Sequence, residues 1–391
     1  MTSIQKIRPI LLFIFTFLVY AISHKGEGAQ WNHFVYLADA FLHGLLYVPN
    51  NLDELAFWDG HYFVVYPPMP AILLMPLVAV FGKTFHQPIL SILLGAVNVS
   101  LAYIVLLKFF QNAKLALWIS ILYAFGSMQW YHAEVGSSWY IAHIVALFFL
   151  WLSLLETITK QRLFLIGFLI GAAYFARLPT ILSISFVLIF LKEKFLVGKH
   201  IIFKNLFLLI LGLLPTLIFN SLYNFLRFGR FDNYAYSLYL KSQSLGIQQS
   251  VFPHGFWSVY YIPERIKDIF LSFPVFISNF PFVIPSLYAM AIYIVTPAFF
   301  LVLFASFKKR LAYTSLITVL IILIPILMKG GNGFTQFGFR YSLDFLPFLL
   351  ILTASGLKNK FNLYSKSLIV LSILINLWGV IMISFLNIWT M

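Results

Sequence analysis

The sequence predicts an all-α fold, a polytopic transmembrane helical bundle with about eleven membrane spans. Two observations predict it. First, 61% of the 391 residues are hydrophobic and only 10% are charged, whereas a soluble domain carries about 25% charged residues. Second, many apolar runs approach the ~20 residues that a helix needs to cross a bilayer. One water-soluble core cannot hold so much apolar surface, so we expect a single transmembrane domain over residues 1–391.

The candidate spans are apolar runs separated by short polar or basic segments: 8–23, 88–110, 115–131, 139–156, 163–176, 179–191, 205–224, 282–306, 311–328, 343–357 and 366–388. Two of them are short and flank Arg177 and Pro179, which predicts a bent or broken hairpin there. The run 67–82 is also short and rich in proline. Since a proline inside a helix costs about 3 kcal/mol, we expect a re-entrant or interfacial helix at 67–82.

The basic residues predict which side of the membrane each loop faces. Most of the 26 Lys and Arg residues lie in short clusters between apolar runs, and such clusters collect on the cytoplasmic side. If 67–82 does not cross, this rule places the N-terminus inside and the two long loops, 24–87 and 225–281, outside. Most acids also fall outside. The net charge of +14 therefore reflects membrane orientation, and we expect no nucleic-acid partner.

Several motifs recur in a fixed order along the chain. The first loop reads NHFVYLADAFLHGLLYV at 32–48 and ELAFWDGHYFVVYPPMPAILLMPLVAVFG at 54–82; later come WYHAEVGSSWYIAH at 130–143, FARLPT at 175–180 and FGFRYSLDFLPFLL at 337–350. Together they resemble bacterial polytopic glycosyltransferases of the GT-C superfamily, in the group of protein O-mannosyltransferases and lipid A aminoarabinose transferase. The likeness covers most of the chain up to about residue 350. It implies a GT-C bundle with juxtamembrane helices in the first outer loop.

This resemblance implies a sugar transfer on the outer face of a bacterial inner membrane. The sugar would move from a polyprenyl-phosphate carrier to a hydroxyl of a lipid, glycan or protein acceptor. An acidic residue would act as general base, and cations would hold the carrier phosphate. In many relatives the catalytic Asp precedes the Tyr of the first amphipathic helix by a few residues. This chain has Asn32 near that place, so Asp39 becomes the expected catalytic base.

Asp39 lies in a stretch with helical spacing. Tyr36 and His43 stand three residues before it and four after it, so all three share a face. Apolar neighbours would partly desolvate the carboxylate and make it more basic. The alternative is an acid on the wet face of an amphipathic helix. We expect His43 to help bind the substrate, together with Tyr66, which opens the Tyr-Pro-Pro segment of the first loop.

The expected cations come later in the chain. Arg177 lies between two apolar segments, where an Arg is usually functional, and its planar guanidinium suits phosphate oxygens. A structural ion pair or snorkelling to the interface is the alternative. Arg340 and Tyr341 follow the Gly-rich turn 330–338, which favours carrier binding. Arg340 would form a local salt bridge equally well with Asp344, four residues on.

Two further groups of polar residues are candidates. Glu134 and His132 lie in the short turn between two spans and are expected to bind acceptor or sugar hydroxyls, with capping of helix ends as the alternative. Asp59, His61 and Glu54 in the first loop are candidate ligands of a divalent metal, because carboxylate and imidazole suit such ions. The Asp-Gly pair at 59–60 also fits a plain turn. No other cofactor is expected.

Two other classes of membrane protein stay open. A lipid-linked polysaccharide polymerase or ligase also handles polyprenyl carriers from outside, and the long loop 225–281 fits that class. A transporter or flippase of lipid-linked sugars would show internal repeats and charged residues along a path at the membrane midplane, where we find only Arg177. The acidic first loop favours the glycosyltransferase.

Overall fold

The computed structural model describes residues 3–26, 31–49, 52–198, 200–242, 252–333 and 336–388. Parts of both long loops and of the Gly-rich turn 330–338 lie outside the described residues. Helices dominate: α1 Ser3–Ser23, α2 His33–Leu42, α3 Met69–Phe81, α4 Gln87–Phe110, α5 Ala113–Phe125, α6 Gln129–Val135, α7 Ser138–Ile158, α8 Leu163–Tyr174, α9 Ile184–Phe190, α10 Lys192–Phe195, α11 Phe203–Phe228, α12 Tyr234–Ser242, α13 Ile262–Phe270, α14 Ile292–Val295, α15 Arg310–Leu327, α16 Leu346–Asn359 and α17 Leu363–Val380.

Shorter elements join these helices. The 3₁₀ helices are Gly82–Thr84, Leu178–Ser183, Val259–Tyr261, Pro297–Phe304 and Arg340–Phe345, and a π-helical turn, Ile381–Phe385, follows α17. Three two-stranded antiparallel hairpins pair β1 Leu55–Trp58 with β2 His61–Val64, β3 Leu196–Val197 with β4 His200–Ile201, and β5 Val275–Phe276 with β6 Val283–Ile284. The fold is thus mostly helical, as expected, but it is not purely α.

Six helical segments of the described chain are long and apolar enough to cross a membrane, namely Gln87–Phe110, Ser138–Ile158, Phe203–Phe228, Arg310–Leu327, Arg340–Asn359 and Leu363–Phe385. Six shorter apolar helices accompany them, of which Met69–Thr84 is one. The chain is therefore an integral membrane protein, while the expected count of about eleven spans is not confirmed. Helix α3, with 13 residues, rises only about 20 Å and cannot cross alone.

The expected span 282–306 is wrong as a continuous helix. It holds strand β6, the single turn α14 and the 3₁₀ helix Pro297–Phe304. Prolines at 285 and 297 explain the breaks, because each removes a backbone N–H donor and clashes with the preceding turn. The bend expected near Pro179 is present, since α8 ends at Tyr174 and a 3₁₀ helix precedes α9.

Small residues allow the close packing of α8 against α11. A Cβ added to Gly212 would overlap the carbonyl oxygen of Phe164, and one added to Gly167 would overlap that of Leu209. Small residues at such positions are typical of helix pairs in membranes. This contact fixes the position of α8, and with it the segment 175–179 that follows.

The hairpin β1–β2 brings two parts of the first loop together. Its register pairs Leu55 with Val64 and Trp58 with His61. Glu54, just before β1, therefore lies at the same end of the hairpin as the residues after β2, among them Tyr66. Asp59 lies at the opposite end, in the turn. The far end of β2 is tied to α11, because Arg227 Nη1 donates to the carbonyl of Val64 at 3.0 Å.

Candidate functional site

A cavity of about 700 Å³ lies among the first loop, α7, the segment 176–179, the second loop and residues 326–341. Ten of its 25 lining residues are aromatic. The charged residues among those that line it are two acids and three cations: Asp53, Glu54, Arg177, Lys329 and Arg340. A concave, mostly apolar site with a few converging polar groups is the usual form of a small-molecule site.

The acids form one wall of this cavity. Glu54 Oε2 accepts hydrogen bonds from the hydroxyl of Tyr66 at 2.5 Å and from Trp139 Nε1 at 2.7 Å. Burial raises the pKa of Tyr66 well above its ordinary value, and the nearby Glu54 raises it further, so the phenol keeps the proton that it donates. The backbone of Glu54 has a φ of 56°, a conformation that non-glycine residues adopt mainly where the surroundings impose it.

Asp53, the residue before Glu54, is held through its backbone by a histidine of α2. His33 on α2 is fully buried, and its Nε2 lies 2.6 Å from the carbonyl oxygen of Asp53. The imidazole N–H therefore donates to the backbone of Asp53, a residue that lines the cavity. Asp53 and Glu54 thus stand on a backbone that α2 fixes.

Lys329 belongs to the cationic wall. Its ammonium donates to the carbonyls of Gly330 at 3.1 Å and Gly331 at 3.2 Å, and it lies 4.6 Å from the ring centre of Tyr341. No carboxylate of the described residues forms a salt bridge with it. Burial lowers the pKa of Lys329, and the neighbouring Tyr341 opposes that shift. Such a cation suits an anionic ligand.

Arg340 and Tyr341 lie beside Lys329 in the 3₁₀ helix Arg340–Phe345. Arg340 Nη2 donates to the hydroxyl of Tyr341 at 3.2 Å. Arg340 and Asp344 do not form the local salt bridge that their spacing of four residues would allow on an α-helix. Asp344 instead accepts two hydrogen bonds from Arg177, at 3.2 Å from Nε and 3.0 Å from Nη2. His143 Nδ1 lies 2.7 Å from the same carboxylate.

The structure does not bring Asp39 to this cavity. Asp39 and His43 line a separate groove of about 420 Å³. There Lys83 Nζ lies 3.7 Å from Asp39 Oδ2, and the side chain of His43 is 68% exposed. The shared helical face that we expected for Asp39, Tyr36 and His43 is present, since all three line the groove. None of the residues that line this groove also lines the cavity with the three cations.

Glu134 and His132 do not line the cavity either. Both are fully buried. The hydroxyl of Ser384 donates to Glu134 Oε1 at 2.5 Å, and His132 Nδ1 lies 2.7 Å from the carbonyl of Met128. The first contact ties Glu134 to the C-terminal π-helical turn, and the second ties His132 to Met128, the residue just before α6. Both side chains therefore belong to the packing of the bundle.

The three candidate metal ligands are not gathered at one point. Asp59 is in the turn of the first hairpin and His61 stacks on Tyr47 at 4.1 Å between ring centres. Glu54 stands at the other end of β1, about 13 Å away for four extended residues. Within the described residues, no group of three or more His, Cys, Asp or Glu side chains could hold a metal ion.

Sequence reasoning missed several residues of this region. Lys329 carried a usable signal, because it directly follows an apolar helix and precedes two glycines. Trp139 carried a weaker one, since it lies within the motif 130–143; His143, the last residue of that motif, stands with the candidates His132 and Glu134 around the same turn. The partners of Asp344 carried none, because 167 and 201 residues separate it from Arg177 and His143.

The fold matches solved structures of two proteins, ArnT and AglB. ArnT from Cupriavidus metallidurans in the apo state matches with a TM-score of 0.57 and 15% identity over 89% of this chain. ArnT bound to undecaprenyl phosphate gives 0.53 and 13% over 89%. The archaeal oligosaccharyltransferase AglB from Archaeoglobus fulgidus, in complex with an inhibitory peptide and a dolichol-phosphate, gives 0.52 and 12% over 99%.

At 12–15% identity these matches show a shared fold, and that fold agrees with the helical membrane bundle that the resemblance led us to expect. This chain spans 59% and 60% of the two ArnT chains and 56% of AglB. No family model and no curated protein matches the sequence.

Proposed function

We propose that the protein is a membrane glycosyltransferase that moves a sugar from a polyprenyl-phosphate carrier to an acceptor hydroxyl. One observation carries the proposal: an acidic wall and a cationic wall face the same cavity of about 700 Å³. Such a transfer needs both, a base for the acceptor and positive charge for the departing phosphate. The match to ArnT bound to undecaprenyl phosphate supports this kind of reaction.

Lys329 and Arg340 are the proposed contacts of the carrier phosphate. In a polyprenyl-phosphate sugar the phosphodiester carries one negative charge, and the phosphate gains a second as the glycosidic bond breaks. Cations that are already in place stabilise this developing charge without reorganising. The guanidinium of Arg340 can donate two N–H groups to phosphate oxygens, while the ammonium of Lys329 acts as a point charge.

Glu54 is the proposed general base in place of Asp39. Its carboxylate is oriented by Tyr66 and Trp139 through Oε2, which leaves Oε1 for the acceptor hydroxyl. The acceptor oxygen attacks the anomeric carbon, its proton passes to Glu54, and the bond from that carbon to the phosphate oxygen breaks. The electron pair of that bond leaves with the polyprenyl phosphate.

The aromatic lining fits a sugar as the transferred group. Trp31 and Trp139 lie 5.1 Å apart between ring centres, and both line the cavity beside Glu54. Flat apolar rings can pack against the C–H face of a sugar while the polar groups around them bind its hydroxyls. The acceptor would be a lipid, glycan or protein. The distribution of Lys and Arg supports a site on the outer face of a bacterial inner membrane.

The experiment purifies the full chain in lipid nanodiscs. It first measures binding of undecaprenyl phosphate. It then follows transfer of label from radiolabelled undecaprenyl-phosphate sugars into membrane extract. Glu54→Gln should lower transfer by at least about 100-fold and leave undecaprenyl phosphate binding unchanged. Asp53→Asn tests the neighbouring acid, and Asp39→Asn is the matched control outside the cavity.

Three outcomes count against the proposal. If Asp39→Asn abolishes transfer while Glu54→Gln keeps it, the base is assigned wrongly. Transport of the lipid-linked sugar across liposome membranes without transfer to any acceptor would instead assign a flippase. Elongation of a lipid-linked glycan by repeated units would assign a polymerase.

A further inference from the structure

Asp344 is buried beside the cavity without lining it. Its side chain is 0% exposed, whereas that of Arg177 is 17% exposed and lines the cavity. Asp344 therefore makes no direct contact with a ligand in the cavity, and it can act only through a neighbour or through its charge. The carboxylate grips Arg177 through two nitrogens, Nε and Nη2, which fixes the plane of the guanidinium.

His143 holds this carboxylate from the other side. It is buried on α7, and its Nδ1 lies 2.7 Å from Asp344 Oδ1. Since an ionised carboxylate only accepts hydrogen bonds, Nδ1 must carry the proton. The three residues come from separate parts of the chain: α7, the segment between α8 and the 3₁₀ helix Leu178–Ser183, and the 3₁₀ helix Arg340–Phe345. These residues come within hydrogen-bond distance of one another only when the bundle has folded.

The two hydrogen bonds to Asp344 leave Nη1 of Arg177 available to a ligand in the cavity. Nε and Nη2 are used by Asp344, and Nη1 takes part in neither bond. The ring of Tyr341 lies 5.5 Å from the guanidinium carbon, which limits rotation of the group further. Arg177 is thus held in one orientation by Asp344, which lies outside the cavity, and by Tyr341, which lines it.

We infer that His143 and Asp344 are positioning residues, which aim the guanidinium of Arg177 at the carrier phosphate through one chain of hydrogen bonds. This inference rests on the proposed function. It gives Arg177 a part different from that of Lys329, which forms no salt bridge with a carboxylate in the part of the chain that the structure describes. An Arg whose rotamer is fixed before binding loses less conformational freedom on meeting the phosphate.

The direction in which Asp344→Asn changes anion binding distinguishes a positioning role from a purely electrostatic one. Asp344→Asn removes a negative charge next to the cavity. If Asp344 acted only through its charge, an anion would bind more tightly in this variant. If Asp344 positions Arg177, the anion binds more weakly despite the gain in net positive charge.

The experiment measures the dissociation constant of undecaprenyl phosphate for the full chain in nanodiscs. We expect Asp344→Asn and His143→Leu each to weaken binding about 10-fold. This is the lower end of the roughly 10- to 100-fold losses of affinity seen when a residue that orients a metal ligand is replaced. An Asn side chain can place an N–H close to where Nδ1 of His143 stands, so His143→Asn should recover most of the loss. The leucine variant alters no formal charge, so its effect reports on the hydrogen bond.

Combining Asp344→Asn or His143→Leu with Arg177→Met tests whether the loss of binding passes through Arg177. In Arg177→Met, neither Asp344→Asn nor His143→Leu should weaken binding further, because the residue that they position is gone. The double variant Arg177→Met with Asp344→Asn removes both buried charges and so leaves no unpaired ion. Thermal unfolding midpoints for every variant show that the binding changes do not come from loss of the fold.

Tighter or unchanged binding in Asp344→Asn overturns the inference. So does an equal loss in the Arg177→Met background. In both cases the proposed function stands if Lys329→Ala still weakens binding. If the unmodified protein does not bind undecaprenyl phosphate at all, the proposed function falls and the inference falls with it.

Discussion

Replacing Lys329 by alanine should weaken binding of undecaprenyl phosphate by a predictable amount. At about 4 Å and an effective dielectric constant near 20, an ammonium and a phosphate oxygen attract by about 4 kcal/mol. Loss of hydration offsets part of this, and hydrogen bonds to charged groups contribute a net 1.5–3 kcal/mol, roughly. We therefore expect the dissociation constant to rise about 10-fold to 150-fold. Lys83→Ala is the matched control, because Lys83 lies in the separate groove beside Asp39.

The same residue gives the binding a pH dependence. Burial lowers the pKa of Lys329, so its charge is lost at a lower pH than the ordinary lysine value of about 10.4. Neutral Lys329 attracts phosphate weakly. Binding should therefore be strongest at the neutral end of the range from about pH 7.5 to 10 and should weaken as the pH rises through the lowered value. The guanidinium of Lys329→Arg stays charged, so that variant should lose this dependence.

The assay measures dissociation constants in nanodiscs at fixed ionic strength, because salt screens charges that face water. Two results would refute the reasoning. Unchanged binding in Lys329→Ala at neutral pH would show that this lysine does not meet the phosphate. Equal pH dependence in Lys329→Arg and the unmodified protein would show that another group titrates.

Three further changes test other parts of the molecule. Arg227→Ala should destabilise the fold by about 1–3 kcal/mol, because it leaves the carbonyl of Val64 without its donor; the thermal unfolding midpoint measures this. Gly212→Ala should lower that midpoint too, since its Cβ would overlap the carbonyl oxygen of Phe164, and overpacking typically costs about 1–3 kcal/mol. Trp139→Phe removes one of the two donors to the proposed base, so transfer should fall about 10-fold while the affinity for undecaprenyl phosphate stays unchanged.

The long apolar helices could be predicted from the sequence because their signal is local. A run of apolar residues near 20 long identifies a span wherever it occurs, and α4, α7 and α11 follow such runs. Apolarity alone does not report the path of the backbone. The run 282–306 is as apolar as a true span, yet strand β6 and two short helical pieces divide it.

The local salt bridge between Arg340 and Asp344 shows how the wrong helical period misleads. The spacing i to i+4 brings side chains together on an α-helix, which has 3.6 residues per turn. Residues 340–345 form a 3₁₀ helix, in which three residues complete a turn. The two side chains therefore point to different sides, and Asp344 turns to Arg177 instead. The sequence of this segment carries little that separates the two helix types.

The position of Asp39 shows what helical periodicity can and cannot supply. It placed Tyr36, Asp39 and His43 on one face, and the structure agrees. It could not say which cavity that face meets, because this depends on how the rest of the first loop folds back. Lys83, which follows α3, completes the groove that this face meets, while the hairpin β1–β2, with Leu55 opposite Val64, carries Glu54 at the cavity.

The register of that hairpin determines which acid reaches the cavity. With Leu55 opposite Val64, the residues just outside the hairpin, Glu54 and Tyr66, come within hydrogen-bond distance. A shift of one residue would turn every side chain of one strand to the opposite face and would separate this pair. Alternating residues in a four-residue strand specify the register weakly. What fixes it are distant contacts, such as the bond from Arg227 to Val64, and these exist only once the helices have packed.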